Sequence, residues 1–160
     1  MRVVIAAVGK LKDGAERELY ARYAVRLTAV SRQAALGPID LIELPESRAP
    51  NAADRQADEA TRLLSAVSKV EVLVALDENG QQYTSPAFAR LLRKSSDQGR
   101  ASIAFLVGGA DGHGAPVLNK VDLKLSLSSM TLPHGLARVV LAEQLYRAAT
   151  IVTGHPYHRA

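Results

Sequence analysis

The chain has no cysteine and no tryptophan among its 160 residues, and aromatic side chains make up only 4% of it. Without thiols there is no disulfide framework, no thiolate metal centre and no cysteine nucleophile. With so few rings the core must be assembled from Ala, Val, Leu and Ile, which suits a helix-covered sheet better than an aromatic-rich sandwich. Long apolar runs are missing too. The segment Met1 to Val8 carries Arg2 and stops at Gly9-Lys10, too short for a signal peptide's apolar region or a membrane span, so a soluble, cytoplasmic protein is expected. No repeat, linker or low-complexity tract divides the sequence, and its length suits one domain over residues 1–160.

Charge is modest. A net charge of +4 fits a phosphate-rich partner and fits plain solubility equally well. Basic residues thicken at Arg90, Arg93, Lys94 and Arg100, with only Asp97 against them; a nucleic-acid contact and a solvated helix face would both look like this.

Apolar patterning predicts an alternation of strands and helices. Val3 to Val8, Ile39 to Leu44, Val70 to Leu76, Ser102 to Val107 and Leu123 to Leu127 read as strands. Helical spacing covers Ala15 to Val30, Ala52 to Val67 behind an Asn51 cap, Ser85 to about Ser96 with Ser85 as cap and Pro86 at the first position, Val117 to Val121, and Leu136 to Thr153. Asp77-Glu78-Asn79-Gly80 reads as a turn. Strands that lack polar alternation and are separated by helices imply an α/β fold with a mostly parallel sheet flanked by helices. Such sheets bind ligands outside the carboxyl ends of their strands, here Leu76-Asp77, Gly108-Gly109 and Leu127 to Leu132.

Three segments have the composition for chemistry. Gly108-Gly109-Ala110-Asp111-Gly112-His113-Gly114 lacks both the dinucleotide fingerprint and the Lys-Ser/Thr ending of a phosphate loop, so it reads either as a plain turn or as a wall of bare backbone against a flat ligand. Ser126 to His134 alternates small hydroxyls with Leu and Met, which suits a loop that offers backbone groups to an adenine edge, or a half-buried connection that satisfies itself. The tail gathers His155, Tyr157, His158 and Arg159; Pro156 and the lack of an acidic neighbour argue against a metal pair, and no metal is expected. The apolar stripe of the last helix, with Arg138, Glu143 and Arg147 set into it, fits packing on the sheet or a subunit interface.

Four segments share an order and spacing that resemble a known family: Leu106-Val107-Gly108-Gly109-Ala110-Asp111-Gly112, Leu125 to His134, Ala142-Glu143-Gln144-Leu145-Tyr146-Arg147-Ala148, and His155-Pro156-Tyr157-His158-Arg159, with Val8-Gly9-Lys10 after the first strand. Together they are similar to the RlmH-type ribosomal RNA large-subunit methyltransferases of the SPOUT superfamily, over essentially the whole chain. The resemblance implies a C-terminal trefoil knot, a homodimer, S-adenosyl-L-methionine as cofactor, and methylation at N3 of a pseudouridine in 23S ribosomal RNA of the assembled ribosome. Carried over by position, it implies a cofactor site at Leu76, Gly108, Leu127, Ser128, Ser129, Met130, Thr131 and Leu132. Tyr157, His158 and Arg159 are then expected around the acceptor base, supported by His134 and Arg147, from the same or the opposite subunit. At Ala110-Asp111 and His113-Gly114 the chain departs from the family's frequent Pro-Glu and Leu-Ser, which predicts a freer loop. On the residues alone, a nucleotide- or RNA-binding module without catalysis remains an alternative use of the same sheet edge.

Overall fold

The computed structural model describes residues 1–159. Five strands, β1 (Arg2–Val8), β2 (Ile39–Leu44), β3 (Val72–Gln82), β4 (Ser102–Val107) and β5 (Leu123–Ser126), form one sheet in the order β2-β1-β4-β3-β5, and every pairing is parallel. The helices between them are α1 (Ala15–Ala34), α2 (Ala52–Ala66), α3 (Ser85–Asp97), the short α4 (Ala115–Leu118) and α5 (His134–Thr153). The parallel α/β expectation is thereby met.

Alternation along the strands divides the core in two. Val3, Ile5 and Ala7 of β1 with Ile103, Phe105 and Val107 of β4 face one side, where α1, α3 and α5 cover them through Leu27, Phe88, Leu92, Leu141 and Leu145. Val4, Ala6 and Val8 with Ala104 and Leu106 face the other, under Ala60, Leu63 and Val67 at the α2 end and Val117 of α4. Both faces of β1 and β4 are closed to water, which is why these two strands read as unbroken apolar runs.

Boundaries differ from the sequence reading where side chains bond locally. Thr84, not Ser85, caps α3, its hydroxyl accepting from Ala87 N at 3.3 Å, so Pro86 falls in the first turn rather than at its first residue. The largest difference lies in β3. Asp77 to Gly80 is not a simple turn that ends the strand: the strand bulges there and resumes, so that both Leu76 and Gln81 register against Leu125. Gly80 makes this possible, because a Cβ there would sit 2.7 Å from the backbone of Lys124.

The last helix is tied to the far side of the sheet by a charge. Arg138, 2% exposed, donates to the Val8 carbonyl at 2.9 Å and to Glu43 Oε2 at 3.2 Å, and the same Glu43 oxygen accepts from Leu11 N at 2.6 Å. Burial lowers the pKa of Arg138, against the opposing pull of Glu43. The start of α5 is thereby held near the carboxyl ends of β1 and β2, although the preceding strand lies at the other edge of the sheet. No helix among the described residues is long and apolar enough to cross a membrane.

The cap of α2 offers a simple check on this reading. Asn51 Oδ1 accepts from Asp54 N at 2.8 Å, and Asn51→Ala is expected to lower unfolding stability by about 1 kcal/mol in urea titrations.

Candidate active site

At the carboxyl ends of β3, β4 and β5 lies an open cleft of about 510 Å³. Its walls come from three connections: the β3 bulge (Asp77, Glu78, Asn79), the glycine-rich loop (Gly108 to His113), and the segment after β5 (Leu127, Ser128, Met130, Thr131, Leu132), with His134 and Ala137 of α5 closing one end. Leu76, Gly108, Leu127, Ser128, Met130, Thr131 and Leu132 of the expected cofactor set therefore share one cavity. Ser129 sits exposed within the same segment and is not part of the wall. Within that segment Ser126 donates to the Ser128 carbonyl at 2.9 Å and the Ser128 hydroxyl accepts from Met130 N at 2.9 Å, so its hydroxyls fix the turn. Met130 stands 76% exposed at the mouth.

The glycine-rich loop is not free, contrary to the expectation drawn from its departures. Asp111 takes two bonds from Arg55 of α2, at 2.7 and 3.1 Å, and the Asp111 carbonyl accepts from Gln56 at 2.7 Å. The Arg55 bond holds the Asp111 carboxyl below its usual pKa. His113 bonds the Leu106 carbonyl through Nε2 at 3.0 Å. A carbonyl can only accept, so Nε2 carries the proton in this bond. Burial lowers the pKa of His113, outweighing the Leu106 bond and the charges of Asp77 and Glu59, which act the other way. Gly109 has a steric reason to be glycine: a Cβ would lie 2.8 Å from Glu59 Oε2.

The expected acceptor-side residues divide. His134 lines the cleft. Arg147, Tyr157 and His158 form a second cluster on the other end of α5, built around Glu143. Arg147 Nε and the Tyr157 hydroxyl both donate to Glu143 Oε1 at 2.9 Å, and Arg147 Nη1 donates to His158 Nδ1 at 3.4 Å. The Tyr157 ring lies 4.9 Å under the Arg147 guanidinium and 4.6 Å from the Tyr146 ring, so the tail is docked rather than frayed. Burial first, then bonds with Tyr23 and Glu143, raise the Tyr157 pKa and keep the phenol a donor. Arg159 follows, exposed. Thirteen residues of α5 separate His134 from Arg147, a rise of about 20 Å, so one chain does not bring the two clusters together. The basic residues of α3 lie elsewhere again: α3 ends where β4 begins, at the amino edge of the sheet, and Arg93 pairs with Asp97 at 2.9 Å on an exposed face.

Sequence reading missed Glu78 and Asn79 as cleft walls, and Arg55, Gln56 and Glu59 as supports of the glycine-rich loop. The first two stood in a segment already noted for turn chemistry. For the α2 residues no sequence signal connects them with a loop 50 or more positions away.

An open parallel sheet with a sizeable cleft at its carboxyl edge, walled by bare glycine backbone and a hydroxyl-rich turn, defines an α/β enzyme that takes a small ligand between its strand ends. The family described as predicted SPOUT methyltransferases matches residues 1–158. The chain belongs to that family and is a methyltransferase. It is 49% identical over 160 residues, all of both chains, to a protein of Xanthobacter autotrophicus named ribosomal RNA large subunit methyltransferase H, and 47% identical, again over the whole of both, to one of that name from Bradyrhizobium diazoefficiens. Among solved structures the fold resembles a probable methylase family protein from Haemophilus influenzae (TM-score 0.55, 13% identity, 99% of this chain and 70% of that one). It also resembles a probable methyltransferase from Bordetella pertussis (TM-score 0.53, 15% identity, 92% and 95%).

The low pKa of His113 makes stability depend on pH with a defined sign. Its folded value lies below its unfolded value, so on acidification the unfolded chain takes the proton first and stability falls as pH drops through the ordinary histidine range. His113→Leu is expected to flatten that part of the profile in urea titrations between pH 7 and 5, relative to the native chain.

Proposed function

We propose that the chain transfers a methyl group from S-adenosylmethionine to N3 of a pseudouridine in 23S ribosomal RNA of the assembled ribosome, acting as a homodimer. The observation that carries this reading is the cleft itself: its volume falls in the range of small-ligand sites, and its walls are backbone-rich at the strand ends where an α/β sheet binds ligands. Gly108 lines the cleft and lets the glycine-rich loop fold closely over the end of β4, since a Cβ there would come to 3.0 Å from the Gly112 backbone. Leu76, Gly108 and the run Leu127, Ser128, Ser129, Met130, Thr131 and Leu132 would hold it, and Asp77 and Glu78 at the lip bring negative charge toward a cationic ligand. The names of the full-length relatives support ribosomal RNA as the substrate, and that substrate in turn argues for the cytoplasm.

When bound, the cofactor supplies an electrophilic methyl carbon on a sulfonium. The residues of the chain then have to hold the acceptor nitrogen in line with it and exclude water. An imide nitrogen lies between two carbonyls, so donors to those oxygens stabilise the anion it forms on losing its proton. His158, with Nδ1 taken by Arg147, offers Nε2–H, and Arg159 offers its guanidinium. Arg147 and Tyr157 are occupied by Glu143, and we assign them the holding of the tail.

Because the tail cluster lies about 20 Å along α5 from His134, we infer that each active site combines the cleft of one copy with the tail of the other. Leu136, Val140, Glu143, Arg147 and Ile151 form a half-exposed stripe at helical spacing on α5, and exposed Met130 stands at the mouth of the cleft; these surfaces suit such a contact. The trefoil knot belongs to the same reading. The return of α5 from the β5 edge to Val8 and Glu43 is the path that such a thread requires.

Methylation of ribosomes from a strain lacking the modification tests the proposal. His158→Ala and Arg159→Ala should abolish methylation and leave S-adenosylmethionine binding intact, while Gly108→Val should abolish binding. Mixing the His158→Ala and Gly108→Val chains should restore about a quarter of native activity, since half the dimers are mixed and each holds one whole site. Undiminished turnover by both tail variants, or no recovery on mixing, would refute the shared site.

A further inference from the structure

The glycine-rich wall of the cleft has little backbone structure of its own. One bridge joins Gly109 and Gly112, with Gly112 N donating to the Gly109 carbonyl at 3.0 Å. Its other fastenings come from side chains. Arg55 reaches Asp111 with a two-pronged bond, Nε to Oδ2 at 2.7 Å and Nη2 to Oδ1 at 3.1 Å, while its Nη1 donates to the Ala49 carbonyl at 3.2 Å. Gln56 donates to the Asp111 carbonyl at 2.7 Å. Three residues further along, Glu59 abuts Gly109 with Oε2 while Oε1 accepts from Ser47 N at 3.0 Å. On the inner side His113 bonds the Leu106 carbonyl.

We propose that Arg55 and Gln56 are positioning residues that set the cofactor-facing wall of the cleft from α2, with Asp111 as their anchor. Residues 110 to 113 all face the cavity, so the place of Asp111 decides the shape of that wall. The pair differs from the ion pairs within helices in what it joins. Arg62–Asp58 and Arg93–Asp97 link neighbouring turns of one helix, whereas Arg55–Asp111 spans 56 positions and closes α2 onto the loop. Its side chains are 31% and 23% exposed, and planar two-point contact fixes direction as well as distance. A wall held in its binding shape before the ligand arrives spares the ordering cost on binding.

This inference rests on the proposed use of the cleft for S-adenosylmethionine, and two readouts separate the two claims. In the ligand-free full chain, amide hydrogen exchange at residues 109–113 should quicken in Arg55→Ala and Asp111→Ala and slow again in the charge swap Arg55→Asp with Asp111→Arg. Arg62→Ala should leave those amides unchanged. Calorimetric titration with S-adenosylmethionine should show affinity lowered about tenfold in the single variants, the equivalent of 1.4 kcal/mol, and largely regained in the swap. In ribosome methylation, KM for the cofactor should rise more than kcat falls. Unchanged exchange in both single variants, or a swap no better than the singles in exchange, would overturn the positioning role. So would quickened exchange with cofactor affinity unaltered. A native chain that fails to bind S-adenosylmethionine would contradict the cofactor reading instead, with the exchange data still deciding the clamp.

Discussion

The guanidinium of Arg138 sits out of water beneath the carboxyl end of β1, and the position of α5 depends on it. Its bonds to the Val8 carbonyl and to Glu43 join the C-terminal helix to the two strands most distant from β5 in the sheet order. Removing one partner of such a buried pair leaves the other uncompensated, at a cost of about 3–5 kcal/mol. Glu43 is shared with Leu11 N, so the loop after β1 is held by the same carboxylate. The end of α5 that Arg138 secures carries His134 and Ala137, which form part of the cleft.

From that anchor the cleft follows by geometry. The parallel sheet brings the ends of β3, β4 and β5 together, and each end is shaped by a local device: a bulge that needs Gly80, a glycine-rich loop fastened to α2, and a turn whose serines bond its own backbone. The cavity therefore combines glycine backbone and hydroxyls with the apolar side chains of Leu76, Leu127, Met130 and Leu132, a surface suited to holding a flat ligand closely. The opposite end of α5 carries a different chemistry. There Glu143 accepts from Arg147 and Tyr157 and keeps the tail against the helix, presenting His158 and Arg159. The separation of these two centres within one chain is the physical reason for reading the active site as shared between two.

Much of the frame was legible because burial on both faces leaves a plain mark. β1 and β4 are apolar at every buried position but Ser102, and their limits are close to those expected from Val3 to Val8 and Ser102 to Val107. Asn51 announced α2 correctly, since capping is a local bond. The strand ends named for ligand binding do share one cleft. Contacts distant in sequence were not legible. Asp77 to Gly80 has turn composition, yet β3 continues past it because β5 lies alongside; neither Arg55 nor Asp111 signals the other; and Arg138 read as an ordinary charged position on a helix until the sheet closed over it. The tail's hold on α5 was not legible either, because it rests on an aromatic stack and on a carboxylate 14 positions back.

We propose that the carboxyl edge of β3, β4 and β5 receives the methyl donor and that a second copy completes the site. A crystal structure of the chain grown with S-adenosylmethionine decides this. The ligand should lie against Gly108 and the 127–132 segment, with His158 and Arg159 of a second copy across the mouth. Ligand density at any other place, or a cleft covered by the tail of its own chain, would contradict it.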